Sequence, residues 1–136
     1  LLYSARLKEI NISVDIEKDY YIFADEKMIA TSVRNIISNA IKFTNRGGKI
    51  LISCFEKDLF IKIKITDNGT GMSDEVKQNL FKLNVKVTNR GTENESGTGL
   101  GLVLVKDFVE KNKGVLEIIS NQGEGTTIIL SIPSAS

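Results

Sequence analysis

From Ile61 to Ile65 the chain alternates residue by residue. Ile61, Ile63 and Ile65 fall on one side, Lys62 and Lys64 on the other, and the run from Lys49 to Glu56 precedes them across a short turn. A period of two sets one side of a strand against a core and the other in water, so the pair reads as a hairpin. A sheet with one apolar face must be covered, and the cover is legible nearby. Ile29, Val33, Ile36, Ile37 and Ala40 recur at helical spacing, so residues 26–44 read as an amphipathic helix. Asp25 serves as its N-cap and Gly47-Gly48 ends it.

The remaining segments extend this plan. Leu1 to Glu9 is helix-compatible but shows no partner surface. Ile10-Ile12-Val14-Ile16 and Tyr20 to Ala24 read as two strands around a Glu17-Lys18-Asp19 turn. Ser73 caps a short helix through about Phe81, with Asp74 and Glu75 in its first turn, where carboxylates suit the helix dipole. Residues 84–98 are polar and aperiodic, the character of a lid. Gly101 to Asn112 reads as a helix with Leu102, Val105, Phe108 and Val109 on one face and Gly114 as its stop. Val115 to Ser120 and Thr126 to Ile132 form a last hairpin. The expected order is β-β-α-β-β-α-lid-α-β-β. That is an α/β fold, a two-layer sandwich of a mixed, mostly antiparallel sheet with three helices on one face.

Composition narrows the function. At 136 residues the chain is one domain. Its net charge of +1 comes from interspersed acidic and basic residues, which argues against a nucleic-acid partner. The one cysteine, Cys54, excludes an internal disulfide and reads as a small buried residue. There is no histidine. No apolar run approaches the ~20 residues of a membrane span, and no signal peptide opens the chain. A start at Leu-Leu rather than Met reads as a piece of something longer.

Three short segments could carry chemistry. Asn35, Asn39 and Lys42 stand at i, i+4 and i+7 of the long helix, on a stripe roughly opposite the apolar one. Amide oxygens suit magnesium, a hard cation that keeps several waters and is often shared with substrate phosphates. An ammonium one turn on offsets phosphate charge. The same stripe reads equally as a solvated face. Asp67 closes the alternating-isoleucine strand, where a fixed carboxylate would accept the exocyclic N6–H of adenine. Gly69 and Gly71 would let backbone approach the flat ring, although Asp-Asn-Gly is also a common Asx-turn sequence. In Gly97-Thr98-Gly99-Leu100-Gly101-Leu102, the glycines allow unusual φ and a helix start turns bare N–H groups toward an anion. A dinucleotide fingerprint would follow the first strand of a parallel βαβ unit, and this loop comes late, after a polar stretch. Lys86 and Arg90 are candidate phosphate contacts or plain surface cations.

In order and spacing, Arg34 to Phe43, Asp67 to Met72 and Gly97 to Leu102 resemble the N, G1 and G2 boxes of the ATP-binding module of sensor histidine kinases. That module belongs to an ATPase superfamily shared with gyrase and the mismatch-repair ATPases. The resemblance runs from about Ile10 to Pro133 and implies a Bergerat-type fold holding ATP and Mg2+ between sheet and helices, under the lid. It makes Asn39 the metal ligand, with Asn35 and Lys42 supporting metal, phosphates and catalysis. Phe43 matches an aromatic position. Asp67 would read adenine, Gly71 would lie against the base beside Gly69, and Gly97, Gly99, Leu100, Gly101 and Leu102 would line the phosphates. Thr126, after Gly125, would contact adenine through water. Phe81 matches the F box, but Asn84 stands where a second Phe is usual.

The resemblance implies transfer of the γ-phosphoryl of MgATP to a histidine. With none here, the acceptor belongs on a helical dimerisation domain upstream, of which residues 1–9 would be the remnant and 10–136 the ATP-binding domain. A homodimeric parent and a response-regulator receiver domain are the implied partners. The implied location is cytoplasmic, with a parent that is either soluble or anchored in the inner membrane. Hydrolytic branches carry a Glu four residues before the metal-binding Asn; here that position is Asn35, and an amide takes no proton near neutral pH. The alternatives are a serine kinase of the anti-sigma-factor kind on the same fold, and a nucleotide-binding module without catalysis.

Overall fold

The computed structural model describes residues 2–80 and 101–135. Along the chain run α1 (Leu2–Leu7), β1 (Asn11–Asp15), α2 (Glu26–Phe43), β2 (Lys49–Lys57), β3 (Phe60–Asp67), α3 (Asp74–Asn79), α4 (Gly101–Lys111), β4 (Val115–Asn121) and β5 (Gly125–Pro133). The strands form one mixed sheet in the order β1-β2-β3-β5-β4. Both expected hairpins are present: β2 meets β3 antiparallel from Ile50↔Asp67 to Lys57↔Phe60, and β4 meets β5 from Val115↔Ser131 to Asn121↔Gly125. β5 lies inside the sheet between β3 and β4, pairing with β3 as well.

The N-terminal part differs from expectation. β1 joins the sheet parallel to β2, in register from Asn11↔Lys49 to Asp15↔Ser53, so α2 is the crossover of a βαβ unit. Tyr20 to Ala24 makes no strand with β1. Its alternation is real, with Tyr21 and Phe23 exposed and Ile22 against the core. Its hydrogen bonds go instead to the end of β5, through Ile22↔Ser134, the Phe23 amide on Pro133 O (2.9 Å) and the Ala135 amide on Tyr21 O (2.9 Å).

The core lies between the sheet and the pair α2 and α4. Ile36 and Ile41 of α2, Val105 and Val109 of α4, and Ile65, Ile128, Leu130 and Ile132 of the sheet are buried together. Asp25 caps α2 as expected, its carboxylate accepting the Met28 amide at 2.9 Å. Ser73 caps α3 through the Val76 amide. Asn112, at the end of α4, accepts the Asp25 amide at 2.7 Å and so fixes the two helices relative to each other. The stop of α4 falls one residue before the expected one. Lys113 carries the left-handed φ of 61°, and the Gly114 amide closes the turn on Val109 O at 2.9 Å. Gly114 is needed for space, because a Cβ there would meet Ser131 O at 2.5 Å. α1, for which no partner surface was legible, does have one: Ala5 and Lys8 are buried, and Ala5 joins the core.

Candidate functional site

Asp67 ends β3 directly across from Thr126 on β5, and both are buried. The strand pattern leads into this position: Ile63 and Ile65 pack into the core, so Asp67 continues the inward side. Its Oδ1 accepts the Gly69 amide at 2.9 Å. That contact is an Asx turn, so the turn and the buried carboxylate are one feature and not competing readings. Burial pushes the Asp67 carboxyl above the usual range, against the opposing pull of the Gly69 and Thr126 amides.

The loop after Asp67 is held from three sides. Asn68 Oδ1 accepts the Lys49 amide at 2.8 Å, at the start of β2. The Thr70 amide donates to Phe43 O at 3.0 Å, at the end of α2. The Gly123 amide donates to Thr70 O at 2.6 Å, from the β4–β5 turn. The approach is close enough to exclude side chains. A Cβ on Gly69 would strike Phe43 O, one on Gly71 would strike Asn121 O, and one on Gly125 would strike Asp67 O. Gly71 and Gly125 also sit at φ of 69° and 97°, which an L side chain resists.

Asn35, Asn39 and Lys42 are half-buried, whereas Arg34 and Ser38 of the same helix are exposed. Their stripe therefore borders the buried face of α2 and does not lie opposite it, as expected from spacing alone. Lys42 Nζ lies 5.0 Å from the centre of the half-buried Phe43 ring. On α4, Leu102 is buried in the core, so only its main chain is available to a ligand. Gly101 opens that helix without a left-handed φ and with open space where a Cβ would stand, so the unusual φ expected at 101 is absent. Phe81, Asn84, Lys86, Arg90, Gly97, Thr98, Gly99 and Leu100, and the lid expected over 84–98, lie outside the described residues.

Ser120 was missed by the sequence reading and is central here. Buried on β4, its hydroxyl lies 2.7 Å from Thr126 Oγ1, receives the Met72 amide at 2.8 Å and lies 3.2 Å from Gly125 O. Its carbonyl accepts Lys77 Nζ at 2.7 Å, tying α3 to the sheet. The signal was available: Leu116, Ile118 and Ser120 share the inward side of β4, and a hydroxyl on that side calls for a partner. Lys8 was also missed, and no local signal marks it.

The residues gathered here can offer a buried carboxylate as an acceptor, a glycine backbone beside it, and amide oxygens with an ammonium along an adjoining helix. Among described residues, Asp67, Gly69, Gly71, Phe43 and Thr126 converge, and the stripe on α2 is joined to them through the Phe43–Thr70 hydrogen bond.

The family model of histidine kinase-, DNA gyrase B-, and HSP90-like ATPases matches residues 24–136. A sensor-like histidine kinase of Rhizobium meliloti is 36% identical over 98% of this chain and 26% of its own length. The sensor-like histidine kinase SenX3 of Mycolicibacterium smegmatis is 32% identical over 92% of this chain and 33% of its own. The chain thus spans about a quarter to a third of these curated relatives. Among solved structures, the mycobacterial sensor histidine kinase MprB superposes with a TM-score of 0.80 at 24% identity, covering 98% of this chain and 88% of that one. The catalytic domain of histidine kinase ThkA gives 0.81 at 23%, covering 98% and 84%. The chain belongs to the histidine kinase-, DNA gyrase B- and HSP90-like ATPase family, and within it corresponds to the catalytic ATP-binding domain of the sensor histidine kinases.

Proposed function

We propose that this chain binds MgATP against Asp67 and donates its γ-phosphoryl to a histidine on a helical dimerisation domain of a longer parent. The observation that carries the reading is the buried Asp67 carboxylate, held by the Gly69 amide where the end of α2 and the β4–β5 turn close on the same loop. A related full-length kinase, ShkA, 24% identical over 98% of this chain and 27% of its own, was crystallised with AMPPNP.

The donor set fits the nucleotide. Asp67 accepts the adenine N6–H, the bare backbone of Gly69 and Gly71 lies against the ring, and Thr126 serves the base from the facing strand. Lys42 sets an ammonium against the phosphates, and Gly101 with the main chain of Leu102 turns helix N–H groups toward them, with Gly97, Gly99, Leu100, Lys86 and Arg90 as further contacts. Asn39 would hold Mg2+ through its amide oxygen, with Asn35 beside it. The ion supplies charge neutralisation for phosphoryl transfer, which depends chiefly on positioning and electrostatics.

Asn35 supports an acceptor other than water, since no carboxylate stands there to take its proton. The acceptor is a histidine and this chain has none, so it comes from the upstream domain, with residues 1–9 as the approach and 10–136 as the ATP-binding domain. A homodimeric parent, a response-regulator receiver as the next acceptor, and a cytoplasmic location complete the proposal. No described helix is long and apolar enough to cross a membrane.

The test is incubation with γ-labelled ATP, alone and with the parent's upstream helical domain. The chain alone should release phosphate slowly and acquire no acid-labile label, and label should appear on the added domain. Fast multiple-turnover hydrolysis by the chain alone would move it to the hydrolytic branch.

A further inference from the structure

The C-terminal end of α2 is closed by partners from distant parts of the chain. The last four carbonyls of a helix have no partner within it. Here Ala40 O accepts Thr44 Oγ1 at 2.5 Å, Ile41 O accepts Lys8 Nζ at 2.9 Å, Lys42 O accepts the same ammonium at 3.1 Å, and Phe43 O accepts the Thr70 amide at 3.0 Å. One lysine serves two of the four, and Ile41 O has the Thr44 amide at 3.4 Å as a second, longer donor. Lys8 is 5% exposed, which is unusual for a charged side chain, and it reaches across more than thirty residues of sequence to do this. The cation also sits at the negative end of the helix dipole, where positive charge is favoured.

Lys8 is itself built in. The Gly47 amide donates to its carbonyl at 2.9 Å, and Arg46 Nη1 donates to the Leu7 carbonyl at 2.7 Å. α1 ends with Glu9 at a φ of 56°, the Glu9 amide on Arg6 O and the Ile10 amide on Ala5 O, a left-handed cap that sets the direction of its last residues. The turn of α2 that Lys8 closes carries Lys42 and Phe43. The next carbonyl anchors the loop that follows Asp67.

We infer that Lys8 is a positioning residue for the nucleotide site: its ammonium fixes the last turn of α2, and with it Lys42, Phe43 and the anchor of the Asp67 loop. This rests on the proposed placement of ATP. Without the ammonium, Lys42 O loses this donor and Ile41 O is left with the long Thr44 amide contact at 3.4 Å, a loss that the turn relieves by opening. The phosphate-facing ammonium of Lys42 and the carbonyl that receives Thr70 then lose their fixed positions.

The experiment uses the 136-residue chain with Lys8→Met, which keeps the length of the stem and removes the donor, and Lys8→Arg, which keeps a donor. MgATP affinity and thermal stability are measured for each, together with Lys42→Met and the double variant. Lys8→Met should weaken MgATP binding by about tenfold. Lys8→Arg should recover most of that loss. The Lys8→Met effect should shrink in the Lys42→Met background, because Lys8 acts partly through Lys42. Exchange of the Thr70 amide should quicken in Lys8→Met. A folded Lys8→Met with wild-type MgATP affinity, whatever its melting temperature, would reduce Lys8 to a structural cap and overturn the inference. If Lys8→Met does not fold, the shorter Lys8→Gln is judged by the same affinity comparison. Absence of MgATP binding by the wild-type chain is a different result: it removes the nucleotide reading itself.

Discussion

At Asp67, stability and function pull in opposite directions. Its carboxyl is raised by burial, so the folded state holds the proton more tightly than the unfolded chain does. Stability from this group is therefore present below its unfolded value of about 3.9 and is lost as pH rises through the higher folded value. Asp67→Asn removes that loss while leaving an oxygen for the Gly69 amide. Its melting temperature should match or exceed wild type near pH 7, and the difference should shrink as the solution is acidified through that window. The same variant should bind ATP about 10–100-fold more weakly and lose its preference over GTP, since a charge-assisted hydrogen bond is worth ~1.5–3 kcal/mol. An unchanged ATP affinity would leave Asp67 a turn residue only. Gly71→Ala should be destabilising by more than about 1 kcal/mol, because the new Cβ meets both a left-handed φ and the Asn121 carbonyl. Denaturant unfolding reads that directly. Asp67, Gly69 and Gly71 were legible as a candidate site because their spacing falls at a strand end. Lys8 and the role of Phe43 O were not, because what they do is set by partners that only the folded chain brings near.

Among the elements, the two hairpins, α2 and its Asp25 cap were readable from local rules: period two, period 3.6 and a capping side chain. The partner of β1 was not. Alternation says which side of a strand is apolar but not which strand lies beside it, and the parallel pairing with β2 depends on the whole crossover through α2. The end of α4 shows the same limit on a smaller scale. A glycine after a helix suggests the left-handed cap, yet Lys113 takes that φ and Gly114 is required by the nearness of β5. Lys113→Gly should therefore stabilise the domain by about 1 kcal/mol, as should Leu59→Gly in the β2–β3 turn, where Asp58 and Leu59 sit at φ of 54° and 69°. Thermal or denaturant unfolding checks both, and a loss of stability in either would contradict the backbone account. On α2, Asn39→Ala should weaken nucleotide binding in the presence of magnesium and have little effect in its absence. Equal weakening in both conditions would argue against Asn39 as the ion's ligand.

For the molecule as a whole, the fold brings three chain-distant pieces together: the end of α2, the loop after Asp67 and the β4–β5 turn. They are joined by main-chain hydrogen bonds through Phe43, Thr70 and Gly123. This convergence is what the sequence resemblance could imply but not display. The central claim is that ATP binds beside Asp67, and calorimetric titration of the 136-residue chain with ATP and magnesium tests it most directly. The account predicts saturable binding of one ATP per chain at millimolar concentration or below, with GTP much weaker. Heats of dilution alone, for wild-type protein shown to be folded, would contradict it.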